Sequence, residues 1–324
     1  MEWRYYSTKD SAQERSCIDA RVHSLSVQLY QLSDVSGTGL LSCLGYVHDA
    51  VGSRYGTLFA YPQGCDGSSP PTSLRDRLRG DHEKRVRCEL KERFNLAHSL
   101  ILTIYRLLSV NWLHKNLSSQ SLLLFSRDSS SKARAGGDSA ACQLFVGGFT
   151  RSRRDAQLEL SEKPPTERSS TTCSNNDGPL YRHPDQAALF EAAANVHGSS
   201  ATPSSGNLLT ASYRREFDVY SLGILLLEIG FWCPIQCIYR DSKSETTAAF
   251  ASKLRTRYVP ELEGRMGRKY ANIVAYCLGE SSVDYGSTGT KHFLEAFEEK
   301  VVAKIAASYL GAESCSVREI LRRP

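Results

Sequence analysis

The 324-residue chain is 41% hydrophobic and 23% charged, with 11 Pro and 23 Gly, proportions that exclude a collagen-like, coiled-coil or wholly disordered polypeptide. Its 40 Lys and Arg against 35 Asp and Glu leave a formal charge of +5, spread along the chain without a basic block, which argues against a dedicated nucleic-acid surface. The longest apolar runs, such as 122–125 and 224–227, fall far short of the roughly 20 residues that cross a bilayer, and Met1 to Tyr6 holds no apolar signal core.

The ten cysteines are dispersed, so reduced thiols in a cytoplasmic chain are expected, mostly as small buried hydrophobes. Cys233 and Cys237 form the one close pair, at a spacing that does not suit zinc and with no second Cys/His pair beside it.

Val22, Leu25, Leu29 and Leu32 recur every three or four residues and predict a helix over 19–32 with one buried stripe. Residues 41–46 and 54–61 read as two strands joined by a turn at 49–53. Phe94, Ala97, Leu100, Ile101, Ile104, Leu107 and Leu108 keep helical spacing and predict a long, mostly buried helix over 90–113. Residues 122–125 and 144–146 follow as short strands. The segment 217–231 is apolar nearly all round with two charges, the pattern of a helix at the centre of a helical region. Two more helices are predicted over 270–278 and 293–310. Three stretches, 126–140, 161–179 and 196–212, are rich in Ser, Gly, Thr or Pro and poor in large apolar residues, and are expected to be mobile surface insertions. The expected architecture is α+β and two-lobed: strands gathered toward the start of the chain, helices toward its end.

The order of these elements and their local wording resemble the protein kinase fold over almost the whole chain. Asp218-Val219-Tyr220-Ser221-Leu222-Gly223 resembles the kinase helix whose Asp braces the catalytic loop, and His114-Lys115-Asn116 resembles that loop. Tyr181-Arg182-His183-Pro184-Asp185 resembles the end of the activation segment, and Gly148-Phe149-Thr150 the metal-binding motif. Leu44 to His48, Tyr55 to Pro62 and Ser73 to Leu78 resemble the fourth and fifth strands, the hinge and the helix after it, while Glu2 to Tyr6 resembles the third strand. The wording is most similar to divergent kinase-like domains of filamentous fungi that accompany HeLo-type and NLR-like cell-death proteins. The resemblance implies one domain over 1–324, with a partial N-lobe and hinge at 1–80 and a helical C-lobe at 81–324 that carries the three insertions. A chain that is a piece of a longer product, lacking the first strands, fits the same resemblance.

Phosphoryl transfer needs a base, metal ligands and a phosphate-covering loop at fixed places. By the resemblance, the base position holds Asn116, an amide, and the metal-ligand positions hold Ser121 and Gly148. No glycine-rich loop precedes the Glu2 strand. That strand has Arg4 as its only cation, and the following helix is expected to lack the acid that pairs with it, Asp19 and Asp34 only flanking it. His114, Asp218, Tyr181, Arg182, Pro184 and Asp185 are expected to be structural. The implied function is that of an inactive pseudokinase that binds protein partners, helical cell-death or NLR-like proteins among them, with no metal and no cofactor. The alternative is an atypical active Ser/Thr protein kinase that uses ATP and Mg and borrows a carboxylate such as Asp138 or Asp155.

Overall fold

The computed structural model describes residues 1–8, 10–33, 39–127, 142–154, 178–187, 213–239, 246–279 and 290–309. The insertions expected at 126–140, 161–179 and 196–212 lie almost wholly outside these residues, as do Asp34, Asp138 and Asp155.

Strand β1 (Glu2–Tyr5) pairs antiparallel with β3 (Arg54–Phe59), which pairs antiparallel with β2 (Cys43–Asp49), giving the sheet order β1-β3-β2. Trp3 lies opposite Gly56, where an added Cβ would stand 2.7 Å from the indole, so only glycine leaves room for the ring. The Arg54 guanidinium stacks 4.0 Å above the same ring.

Helix α1 (Ala12–Ser33) crosses from β1 to β2 and packs on the sheet. It begins seven residues before the predicted start because Ser11 and Glu14 form a reciprocal cap: the Glu14 amide donates to the Ser11 hydroxyl at 3.2 Å, and the Ser11 amide to the Glu14 carboxylate at 2.7 Å. Asp19 therefore sits inside the helix instead of flanking it, and accepts the Tyr46 hydroxyl at 3.4 Å.

A two-residue strand β4 (Thr72–Ser73) leads into α2 (Leu74–Lys84), where the Asp76 amide donates to the Ser73 hydroxyl at 3.1 Å. Helix α3 (Leu90–Ser109) ends earlier than its apolar period suggests. Asn111 takes a left-handed φ of 55°, and Trp112–Leu113, counted in the predicted helix, form strand β5. The pair predicted near 122 and 144 is an antiparallel ladder of β6 (Leu122–Ser126) and β7 (Cys142–Val146), with β4 on the other edge of β6. Strand β8 (Arg153–Arg154) pairs with β5.

Helix α4 (Arg215–Phe231) is buried from Phe217 to Gly230, in keeping with its all-round apolar sequence. It is flanked by α3, α7 (Val259–Met266) and α8 (Arg268–Cys277). Gly230 allows the contact with α7: a Cβ there would stand 2.6 Å from Leu262. The short helices α5 (Ile235–Tyr239) and α6 (Thr247–Lys253) follow α4, and a π-helical turn, Leu254–Tyr258, joins α6 to α7. A second π turn, Glu298–Val302, divides the helix predicted over 293–310 into α9 (Thr290–Phe297) and α10 (Ala303–Tyr309). The chain is thus a mixed α+β protein with small antiparallel sheets. No described helix is long and apolar enough to cross a membrane.

Of the eight described cysteines, all free thiols, only Cys43, Cys88 and Cys277 are buried. Of the other five, Cys142 and Cys233 are half-buried and pack against the core, Cys65 and Cys237 are half-buried, and only Cys17 is exposed.

Candidate functional site

The loop between β5 and β6 is held from below by α4. The Asp218 carboxylate accepts the His114 amide at 2.7 Å, the Lys115 amide at 2.9 Å and the Tyr213 hydroxyl at 2.7 Å. Burial pushes its pKa up to about 6, and these three donors work against that rise. The His114 ring donates from Nε2 to the Gly147 carbonyl at 2.8 Å and accepts the Asn116 amide on Nδ1 at 3.3 Å, the pattern of a neutral imidazole. Burial pushes its pKa down to about 4, so it stays uncharged. The ring packs 4.7 Å from that of Phe149, and the Ser152 hydroxyl donates to the His114 carbonyl at 3.0 Å. Lys115 turns the chain with a left-handed φ of 65°, and its ammonium lies 5.5 Å from the Tyr213 ring.

Above this brace, Asn116, Ser121 and Gly148 converge. A Cβ on Gly148 would stand 2.9 Å from the Ser121 Cβ and 3.5 Å from the Asn116 amide nitrogen. The three positions singled out in the sequence are therefore neighbours, but their chemistry is thin. The Ser121 hydroxyl donates to the Ser118 carbonyl at 2.8 Å and accepts the Ser118 amide at 3.1 Å, closing its own turn. Gly148 has a left-handed φ of 81°, and Phe149 begins a single 3-10 turn ending at Arg151. The Thr150 carbonyl accepts Arg4 Nη1 at 2.7 Å.

One carboxylate does reach this point. Glu2 projects from β1 and accepts the Gly148 amide at 2.6 Å and the Phe149 amide at 2.8 Å. The sequence reading, which left no carboxylate here nearer than Asp138 or Asp155, is corrected by this contact across the chain. Burial raises the Glu2 pKa while the two amides lower it. With both oxygens bound to backbone, Glu2 acts as a clasp between β1 and the 148–149 turn.

A second buried carboxylate fastens the 178–187 segment. Glu228 Oε1 accepts the Tyr181 hydroxyl at 2.9 Å, the Ile235 amide at 2.9 Å and the Ser119 hydroxyl at 3.2 Å. Its Oε2 is sealed from solvent without a hydrogen-bond partner, and burial pushes the carboxyl up to about 7. The Tyr181 carbonyl accepts the Ser221 hydroxyl at 2.8 Å. The His183 ring, for which the sequence offered no role, stacks 5.2 Å from Phe217, and Pro184 beside it is half-buried. Exposed Asp185 pairs with Arg214 at 3.1 Å. Lys115, Arg151 and Arg182 line a cavity of about 80 Å³ together with Asn116 and Tyr213. Burial and the neighbouring Arg151 lower the Arg182 pKa.

Tyr213, Glu2 and Glu228 were missed from sequence. Only Glu228, a charge within an apolar helix, carried a local signal, because the other two act through contacts that spacing does not encode. Among the described residues no three His, Cys, Asp or Glu side chains gather as metal ligands. An amide, a turn-bound hydroxyl and a glycine do not fit a magnesium–nucleotide complex, which needs carboxylate oxygens on the ion. No protein-family model matches the chain, and no curated protein matches it.

Proposed function

We propose that the chain is a protein kinase-like domain, with residues 1–80 as N-lobe and hinge and 81–324 as C-lobe, and that it acts as a pseudokinase: an interaction module that performs no phosphoryl transfer. The observation that supports this reading is the convergence of Asn116, Ser121 and Gly148 over the Asp218 brace, three neighbouring positions that carry no acid or base. The sheet order β1-β3-β2 with α1 running between β1 and β2, and the Asp218 carboxylate under the 114–115 amides, support the kinase-like part. Partners are proteins, and helical cell-death or NLR-like proteins are the class the resemblance favours.

Purified chain incubated with labelled ATP, Mg or Mn and generic substrates should transfer no label above background. A thermal-shift titration with ATP tests binding separately, because a ligand at 100 times its Kd adds about 2.7 kcal/mol of stability. One observation favours the second reading, an active kinase with a displaced carboxylate: Glu2 lies against Gly148. Transfer by the wild type that Glu2→Gln abolishes would replace the first reading with the second.

A further inference from the structure

Where the C-terminal ends of α2 and α4 meet the start of α3 and the end of α7, the surface forms an open bowl of about 650 Å³. Four guanidinium groups line it: Arg85 and Arg87 from the turn after α2, Arg93 from α3 and Arg265 from α7. Phe231 and Trp232, at the end of α4, contribute aromatic surface. Among the described residues Asp81 is the only acid in the lining, and its Oδ2 is already engaged by Arg77 Nε at 2.7 Å and the Trp232 indole at 3.0 Å. No carboxylate of the described residues comes within ion-pair distance of Arg85, Arg87, Arg93 or Arg265.

The bowl is also partly preformed. Arg93 is tied to the Gly230 carbonyl at 2.9 Å, and Arg265 lies 4.9 Å from the Phe231 ring. Trp232 is buried in a left-handed conformation, φ 54°, and its indole is fixed by Asp81. Two of the four guanidiniums thus keep defined positions, which lowers the ordering entropy a ligand must overcome. Planar guanidiniums match carboxylates bidentately, and the exposed Val86 and the aromatic floor suit an apolar side chain.

We propose that this bowl is a docking site for an acidic peptide segment that carries an apolar side chain. The argument for that occupant is charge complementarity: four cations without an acid partner among the described residues, around an aromatic floor, in a volume larger than one phosphate group needs. None of these residues belongs to the loop around Asn116, so the test stands whether or not that loop is catalytic.

The probe is a labelled peptide of about a dozen Glu and Asp residues around one Phe, titrated by fluorescence anisotropy at two salt concentrations. Wild type should bind it, more weakly at the higher salt. The double variant Arg85→Glu/Arg87→Glu and the single variant Arg265→Glu should bind it at least tenfold more weakly while still unfolding cooperatively at a melting temperature close to that of wild type, since all three side chains are exposed and Arg265 gives up only its ring contact with Phe231. A matching reversal away from the bowl, Arg268→Glu, should leave the affinity within about twofold. The proposal is overturned by no peptide binding, by affinity that survives both bowl variants, or by an equal loss in Arg268→Glu. Sedimentation with phosphatidylserine vesicles in the absence of peptide binding overturns it too, and identifies an anionic membrane as the occupant.

Discussion

The underside and the upper face of the 114–121 loop are built in opposite ways. Below, the groups that brace the loop are answered: Asp218 takes three donors, and both ring nitrogens of His114 are bonded. Above, the side chains that meet at Asn116, Ser121 and Gly148 bring no acid, and the one carboxylate in reach among the described residues, Glu2, is held by backbone amides. A buried polar group left without partners is penalised in every molecule that folds, whereas a reactive group is kept only by the reaction. The two faces therefore report different things: the lower one how the chain folds, the upper one, on the reading proposed above, what chemistry the described residues leave out.

The sharpest way to break the comparison is to remove the brace. Asp218→Ala strands the buried His114 amide, the half-buried Lys115 amide and the Tyr213 hydroxyl, and should lower unfolding stability by about 3 to 5 kcal/mol. Chemical denaturation reads this directly. A loss under about 1 kcal/mol would mean that the loop is held by something other than Asp218.

The second buried carboxylate gives a pH-dependent version of the same test. Glu228 has its folded pKa raised to about 7 from the usual 4.5, so the folded chain binds the proton more tightly than the unfolded chain does. The stabilisation this brings is fully present below about pH 4.5 and is lost as pH rises through about 7. Glu228→Gln cannot titrate, so its stability relative to wild type should climb over that window, by about 3 kcal/mol at most. His114, pushed down to about 4, has the opposite pH dependence in both chains and cancels in the difference. A flat difference between pH 4.5 and 8 would show that Glu228 is ionised throughout.

On the upper face, effects should be smaller. Gly148→Ala must hold a left-handed φ of 81° and bring a methyl 2.9 Å from the Ser121 Cβ, against which turn and loop can shift. About 1 to 3 kcal/mol is expected in thermal or chemical unfolding. A neutral outcome would mean that the turn at 148 is free to rearrange.

What the sequence made legible follows the same division. Helix α4 could be read because it is apolar on every side, and the β6–β7 ladder because Leu122-Leu123-Leu124-Phe125 and Leu144-Phe145-Val146 leave no helical stripe. Helix α2 is almost wholly charged past Leu78, so periodicity missed it; Ser73 with Asp76 three residues on was the usable mark, and only resemblance placed a helix there. Helix α1 was started late for a related reason: its first two turns are polar, and the cap between Ser11 and Glu14 was the sign overlooked. That Asn116, Ser121 and Gly148 lie together was legible only through the resemblance, which singled out the three positions as a set. The candidate site was illegible where the group arrives from far away in sequence, as Glu2 does over 146 positions to meet Gly148.

The smallest expected effect tests the upper face alone. Asn116 is exposed, and its backbone amide, not its side chain, makes the bond to His114. Asn116→Asp keeps the shape and adds one charge at the surface, so stability should stay within about 0.5 kcal/mol of wild type. On the proposed kinase-like reading the new carboxylate would stand at the position of a general base, beside a Ser121 hydroxyl tied into its own turn and a Gly148 with no side chain. A base alone contributes to phosphoryl transfer only when the phosphates are positioned and their charge is neutralised, and effects of cooperating groups do not add independently. The variant should therefore fold like wild type and transfer no label from ATP with Mg or Mn. Transfer that appears in Asn116→Asp would mean that the rest of the machinery is intact, supplied by groups outside the three convergent positions. The upper face would then be one substitution away from an active enzyme.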